Sequence, residues 1–209
     1  MHRVHLYLFD QLAALPENFV AEHLHLLPAF RSEQCAHYRQ TVDQQNCIIA
    51  YRLLLQGLRE LYGITDQVVF AYGKHGKPYL KEYPHIFFNI SHCRHGAVCA
   101  FGDFEIGVDM QDVRPYDPAV ARRVCSEGEL HLLSETSNPV RLFCRMWAAR
   151  ESYAKMLGCS VANILKQDLA MEKIAVFAND YYYLALCRKN STIKIIVHKQ
   201  TCVLQPVGG

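Results

Sequence analysis

Three short segments of this 209-residue chain hold side chains whose types and spacing suit charge-handling chemistry. The first is Phe88-Asn89-Ile90-Ser91-His92, an apolar run ending in a polar pair. The second is Ile106-Gly107-Val108-Asp109-Met110-Gln111, in which Asp109 sits among strand-forming neighbours. On a strand, Asp109 and Gln111 face the same side, because side chains alternate. The third is Trp147-Ala148-Ala149-Arg150-Glu151-Ser152-Tyr153-Ala154-Lys155. On a helix, Trp147, Glu151 and Lys155 stack one above another at four-residue spacing. A hard cation takes oxygen ligands and leaves room for phosphate oxygens. Asp109 and Glu151 offer two carboxylates, Gln111 an amide oxygen, and Lys155 a charge to meet a phosphate leaving group.

Each residue also has a plainer reading. Glu151 and Lys155 form the commonest stabilising helix pair, worth a few tenths of a kcal/mol. Asp109 serves equally well at a strand end. Ser91-His92 does not read as a hydrolase pair, since adjacent strand residues point opposite ways and no Gly-x-Ser-x-Gly elbow occurs. Gly73-Lys74-His75-Gly76-Lys77-Pro78 departs from phosphate-binding-loop spacing and reads as a turn with exposed lysines.

The elements that must position these residues follow from periodicity. His2 to Phe9 reads as a strand. A helical region is expected from Ser32 to Tyr62, stopped by Gly63. Gln67 to Tyr72 reads as a strand. Ile86–Ile90, Ala97–Phe101 and Ile106–Met110 read as a meander. Ser126 and Glu129 have capping-box spacing. A long helix is expected from Val140 to Leu157, with Gly158 as its stop and a stripe of Leu142, Met146, Ala149, Tyr153 and Met156. Lys173–Ala178 and Tyr181–Cys187 read as a hairpin about Asn179-Asp180, and Thr192 to Leu204 as a final extended run. Helices followed by antiparallel strands, twice over, predict an α+β fold of two similar lobes, residues 1–104 and 105–209.

Composition narrows the function classes. Hydrophobic residues make up 51% and charged residues 20%, which supports a core and argues against disorder. The net charge of +2 is not concentrated in either half, so a nucleic-acid binder driven by counterion release is disfavoured. No stretch suits a secretory signal or a membrane span. The nine cysteines include no Cys-x-x-Cys and read as buried thiols in a reducing compartment, which predicts a cytoplasmic protein.

In this order the segments resemble the surfactin-type 4′-phosphopantetheinyl transferases. Their marks are matched by Gly76-Lys77-Pro78, Asn89-Ile90-Ser91-His92, Ile106-Gly107-Val108-Asp109, and Trp147-Ala148-Ala149-Arg150-Glu151-Ser152 followed by Lys155. The resemblance implies a monomeric, pseudo-two-fold α+β enzyme with coenzyme A in the cleft between its lobes. It would move 4′-phosphopantetheine from coenzyme A to a serine of an apo acyl or peptidyl carrier protein, releasing 3′,5′-ADP. By motif position, Asp109 and Glu151 would hold Mg²⁺, with Gln111 beside them. Glu151, or a metal-bound water, would help take the serine proton, and Lys155 would stabilise or protonate the leaving phosphate. Lys77, Ser91 and His92 would contact the nucleotide phosphates, and Arg31 the 3′-phosphate side. Three departures qualify this: Gln111 replaces a frequent second acid, Arg150 a lysine, and Asn46 a frequent basic residue. They motivate an alternative, a non-catalytic module that binds coenzyme A or a carrier protein. Six arginines (Arg114, Arg122, Arg123, Arg141, Arg145 and Arg150) are the only basic residues between 114 and 150 apart from histidine. The exposed ones would steer an acidic carrier protein.

Overall fold

The computed structural model describes residues 2–189 and 193–200. It opens with strand β1 (His2–Phe9), short helices α1 (Phe19–Leu24) and α2 (Ala29–Ala36), and the long helix α3 (Thr41–Tyr62). The expected single helix from Ser32 is thus two. Around the break, the Gln44 amide donates to the Tyr38 carbonyl at 3.1 Å, so a side chain takes up a backbone acceptor there. Gly63 ends α3 at φ 68°, a left-handed conformation glycine adopts without steric cost.

Strands β2 (Phe70–Tyr72) and β3 (Pro78–Leu80) form a small hairpin, shorter than the strand expected from Gln67. Then come β4 (Phe87–Cys93), β5 (Gly96–Gly102) and β6 (Ile106–Asp112). The second half adds α4 (Pro118–Val124), α5 (Glu127–Glu135) and α6 (Pro139–Leu157). It ends with β7 (Ile174–Ala178), β8 (Tyr182–Arg188) and β9 (Ile193–Lys199). The expected capping box is present on α5. The hairpin forms as β7 and β8, with Asn179 Oδ1 accepting from the Tyr181 and Tyr182 amides. Of the final run, 193–199 is strand, and 192 and 201–204 lie outside the described residues.

Two main sheets result, ordered β4-β5-β1-β9 and β6-β8-β7. The meander expectation fails at its third strand: β6 leaves β5 and pairs with β8. Alternation explains why. Val4, Leu6 and Leu8 of β1 and Val98 and Ala100 of β5 turn one way, to meet Ile106, Val108 and Met110 of β6 and Leu184 and Leu186 of β8. Tyr7, Phe9, Cys99 and Phe101 turn the other way, onto Ile49, Leu53, Leu54 and Leu58 of α3. On the far side Tyr183, Ala185 and Cys187 face Cys144, Ala148 and Ala149 of α6. The chain therefore stacks as α3, sheet, sheet, α6, a mixed α+β architecture as expected. Strands buried on both faces carry near-continuous apolar runs, which is why β5 and β8 do not alternate with polar residues. Each fully buried Leu, Ile or Phe in these layers is worth about 1.5–3 kcal/mol.

Residues 193–199 were expected in the second lobe, yet β9 runs parallel to β1 on the first sheet, Tyr7 opposite His198. Asp10, just past β1, accepts from the Tyr182 hydroxyl at 2.9 Å and pairs with Lys199 at 3.0 Å, tying both halves together. Among the described residues the cysteines are free thiols, all buried but Cys159. No helix among them is long and apolar enough to cross a membrane.

Candidate functional site

Helix α6 lies directly on β6. Asn138 caps its start, its side chain accepting from the Arg141 amide at 3.1 Å, with Pro139 in the first turn. Gly158 closes it at φ 64°. The close approach is set by Gly107, where an added Cβ would stand 2.9 Å from the Lys155 carbonyl carbon and closer to Ser152 O and Met156 N. No side chain fits there. A glycine inside an apolar strand marks such an approach, and Gly107 is a residue the chemistry-led reading of the sequence passed over.

The third position on from Ile106 carries Asp109. With Ile106, Val108 and Met110 turned into the inter-sheet core, Asp109 faces the opposite way, toward α6. Lys155 Nζ pairs with Asp109 Oδ1 at 2.7 Å and donates to Ser91 Oγ at 3.0 Å. The Ser91 hydroxyl donates to Asp109 Oδ1 at 2.9 Å and accepts the Met110 amide at 3.0 Å. Three segments far apart in sequence thus converge on one carboxylate. Asp109 and Ser91 are buried and Lys155 is half-buried, so water screens these contacts poorly.

Glu151 stands one turn before Lys155. Burial raises its pKa above the ordinary carboxylate value, repulsion from Asp109 adds to this, and Lys155 opposes it. Two carboxylates that repel across one site form a donor set suited to a divalent cation. Gln111 is not aimed at them: its amide donates to the Asp112 carbonyl at 3.0 Å. Among the described residues no three carboxylate, histidine or cysteine side chains gather as a metal cluster. The fit to Mg²⁺ therefore rests on Asp109 and Glu151.

His92 follows Ser91 and turns to the other face of β4. Desolvation lowers its pKa, and the Lys155 charge adds to this; Asp43 and Asp109 oppose, and Arg31 contributes a small further lowering. His92 and Arg31 therefore belong to one electrostatic neighbourhood with Lys155 and Asp109. The Arg31 guanidinium lies over the Tyr51 ring, 5.4 Å from its centroid, and donates to Gln34 at 2.7 Å.

Lys77 is placed differently. Its ammonium pairs with Glu105 at 2.6 Å and donates to the Ile106 and Met156 carbonyls at 3.1 and 3.4 Å. It caps the C-terminal end of α6, where a cation is favoured by the helix dipole, and lines a cavity of about 310 Å³ with Gly73, Phe88 and Gly158. Asn46 is 1% exposed and donates to the Cys93 carbonyl at 2.8 Å, so the frequent basic position is here an interior anchor for the end of β4. Arg150 is likewise 1% exposed, pairing with Glu129 at 2.5 Å and donating to the Gln167 carbonyl. It belongs to the interior, apart from the exposed Arg114, Arg122, Arg123 and Arg145. A second cavity, about 280 Å³, runs along α6 beside Glu151's helical face, lined by Gln111, Arg114, Tyr116, Val120, Phe143 and Trp147.

The chain is similar to known proteins over much of its length. Residues 105–203 match the 4′-phosphopantetheinyl transferase superfamily. The chain is 30% identical over 169 residues to a putative 4′-phosphopantetheinyl transferase of Synechocystis, covering 73% of this chain and 68% of that one. It is 27% identical over 128 residues to the 4′-phosphopantetheinyl transferase psf-1 of Bacillus pumilus, 60% of this chain and 55% of the relative. The figures for the transferase Sfp of Bacillus subtilis are 25% over 131 residues, 61% and 58%. The chain thus spans somewhat more than half the length of these Bacillus relatives.

Proposed function

The chain belongs to the 4′-phosphopantetheinyl transferase superfamily, and from that membership we propose that it carries 4′-phosphopantetheine from coenzyme A to a serine hydroxyl of an apo acyl or peptidyl carrier protein. The observation that carries this reading is the convergence of Ser91, Asp109 and Lys155 within 3.0 Å, with Glu151 one helical turn away.

In this mechanism the carrier serine oxygen forms a bond to the β-phosphorus of coenzyme A, and the bond from that phosphorus to 3′,5′-ADP breaks. Glu151 would take the serine proton as a general base. Lys155 turns from Asp109 toward the departing phosphate, where negative charge develops. Asp109 and Glu151 would hold Mg²⁺, which when bound neutralises pyrophosphate charge. Arg31 would bring a positive charge to the nucleotide phosphates and His92, its pKa lowered, a neutral ring N–H donor, with Ser91 beside them. The Lys77 ammonium, at the end of α6, would exchange Glu105 for phosphate. Most of the rate gain comes from positioning and charge neutralisation, as in phosphoryl transfer generally.

The groove between Tyr116, Phe143 and Trp147 would receive the carrier, with Arg122 and Arg123 on α4 steering its acidic surface. The protein would work as a monomer in the cytoplasm. The experiment is direct: incubate with coenzyme A, Mg²⁺ and several apo carrier proteins, and weigh the carriers. A gain of one phosphopantetheine, abolished by EDTA and by Asp109→Ala, supports the transferase. Thermal stabilisation by coenzyme A with no mass gain on any carrier supports the binding-module alternative instead.

A further inference from the structure

Strands β4 and β6 lie side by side but belong to different sheets, so no backbone ladder joins them. The amides of Val108 and Met110 on β6 nevertheless face β4, and both residues are buried. A buried amide without a partner is strongly disfavoured. Here two side chains of β4 supply the acceptors: Asn89 Oδ1 takes the Val108 amide at 2.8 Å, and Ser91 Oγ takes that of Met110 at 3.0 Å. Farther along, the Asp112 carboxylate takes the Arg94 amide at 3.2 and 3.3 Å. Because Val108 N–H can only donate, the Asn89 oxygen must face it, which fixes the amide's orientation. Asp109 lies between the two anchored amides. Ser91 bonds to the reacting cluster itself, whereas Asn89, 5% exposed, accepts from the backbone beside it.

We propose that Asn89 is a positioning residue for the transfer reaction. Its side chain is a spacer that sets β6 against β4, and thereby sets the Asp109 carboxylate against Lys155 and Glu151. This inference rests on the transferase reading. A serine in its place reaches less far, and a leucine cannot accept, so neither reproduces the spacing.

The test compares wild type with Asn89→Leu and Asn89→Ser. It reads kcat, the Mg²⁺ concentration for half-maximal rate, Mn²⁺ binding by electron paramagnetic resonance without turnover, and hydrogen exchange at the Val108 amide. Expected are faster Val108 exchange, Mn²⁺ and Mg²⁺ dependences weakened about tenfold, and kcat lowered on the order of 10²-fold, the scale of an ångström's misplacement. A merely structural loss would lower the folded fraction and leave the metal dependence of the folded molecules unchanged. If Asn89→Leu does not fold, Asn89→Ser must show the same direction of change. Wild-type metal dependence in either folded variant overturns the proposal. A wild-type protein that modifies no carrier refutes the transferase reading alone, and the Mn²⁺ comparison still decides the placing of Asp109.

Discussion

Replacing Gly107 by alanine adds a single methyl group where β6 meets α6. The new Cβ would lie 2.9 Å from the Lys155 carbonyl carbon, nearer still to Ser152 O and Met156 N, and real Cβ atoms keep at least 3.0 Å. Ordinary contact needs about 3.5–4.0 Å. All three obstructing atoms are helix backbone, so no side chain can rotate away, and α6 must retreat by roughly 1 Å. That helix carries Glu151 and Lys155, while Asp109 stays with β6. Lys155 Nζ would then leave its 2.7 Å contact with Asp109. Overpacking of this kind costs about 1–3 kcal/mol, and a misplacement of this size costs on the order of 10²-fold in turnover. The assay is carrier mass gain per unit time at saturating coenzyme A, beside urea denaturation of the same preparation. Gly128→Ala is the control: its Cβ meets nothing nearer than Ser126 Oγ at 4.0 Å, and α5 should gain up to about 1 kcal/mol from alanine. Near-wild-type turnover and urea midpoint in Gly107→Ala would refute the claim that helix-to-strand contact places the cluster.

Asp109→Ala and Glu151→Ala should each lose at least about 10²-fold in transfer rate while keeping the wild-type circular dichroism spectrum; near-native turnover in either would discard the assignment. Reversing Arg122 and Arg123 to glutamate should raise the KM for an acidic carrier severalfold at low salt and less at high salt; an unchanged low-salt KM removes α4 from the docking surface. His5 lies 2.9 Å from a His198 ring nitrogen, and burial, His198 and Arg3 lower its pKa in the fold. The unfolded chain then binds protons more readily, so stability should fall as pH drops below about 6.5, and His5→Gln should flatten that slope in urea midpoints. A slope identical in both proteins would show that the pair does not couple to folding.

Much of this was legible in the sequence because it depends on local rules. Ser126 and Glu129 spell a capping box whose reciprocal bonds span only three residues. Gly63 and Gly158 end helices because the left-handed conformation costs glycine nothing. The α+β alternation and the β7–β8 hairpin follow from period and turn chemistry. Glu151 and Lys155 share a helix face by geometry alone. The pairing of strands did not follow, since it depends on contacts distant in the chain. β6 read as the third strand of a meander, yet it joins β8, because Ile106, Val108 and Met110 bury against the first sheet as a facing layer.

The candidate site divides the same way. Residue types and spacing singled out Ser91, Asp109, Glu151 and Lys155, and family resemblance attached roles to them. Only the tertiary structure decides that Lys155 reaches Asp109 and Ser91, that Gln111 turns to its own backbone, and that Lys77 caps α6. It also shows that Arg150 and Asn46 are interior anchors and that Asn89 spans the gap between sheets. The physical reason is range. Helix caps and face periodicity are settled by neighbours within one or two turns, whereas a charge's partner is settled by which layers the hydrophobic core brings together.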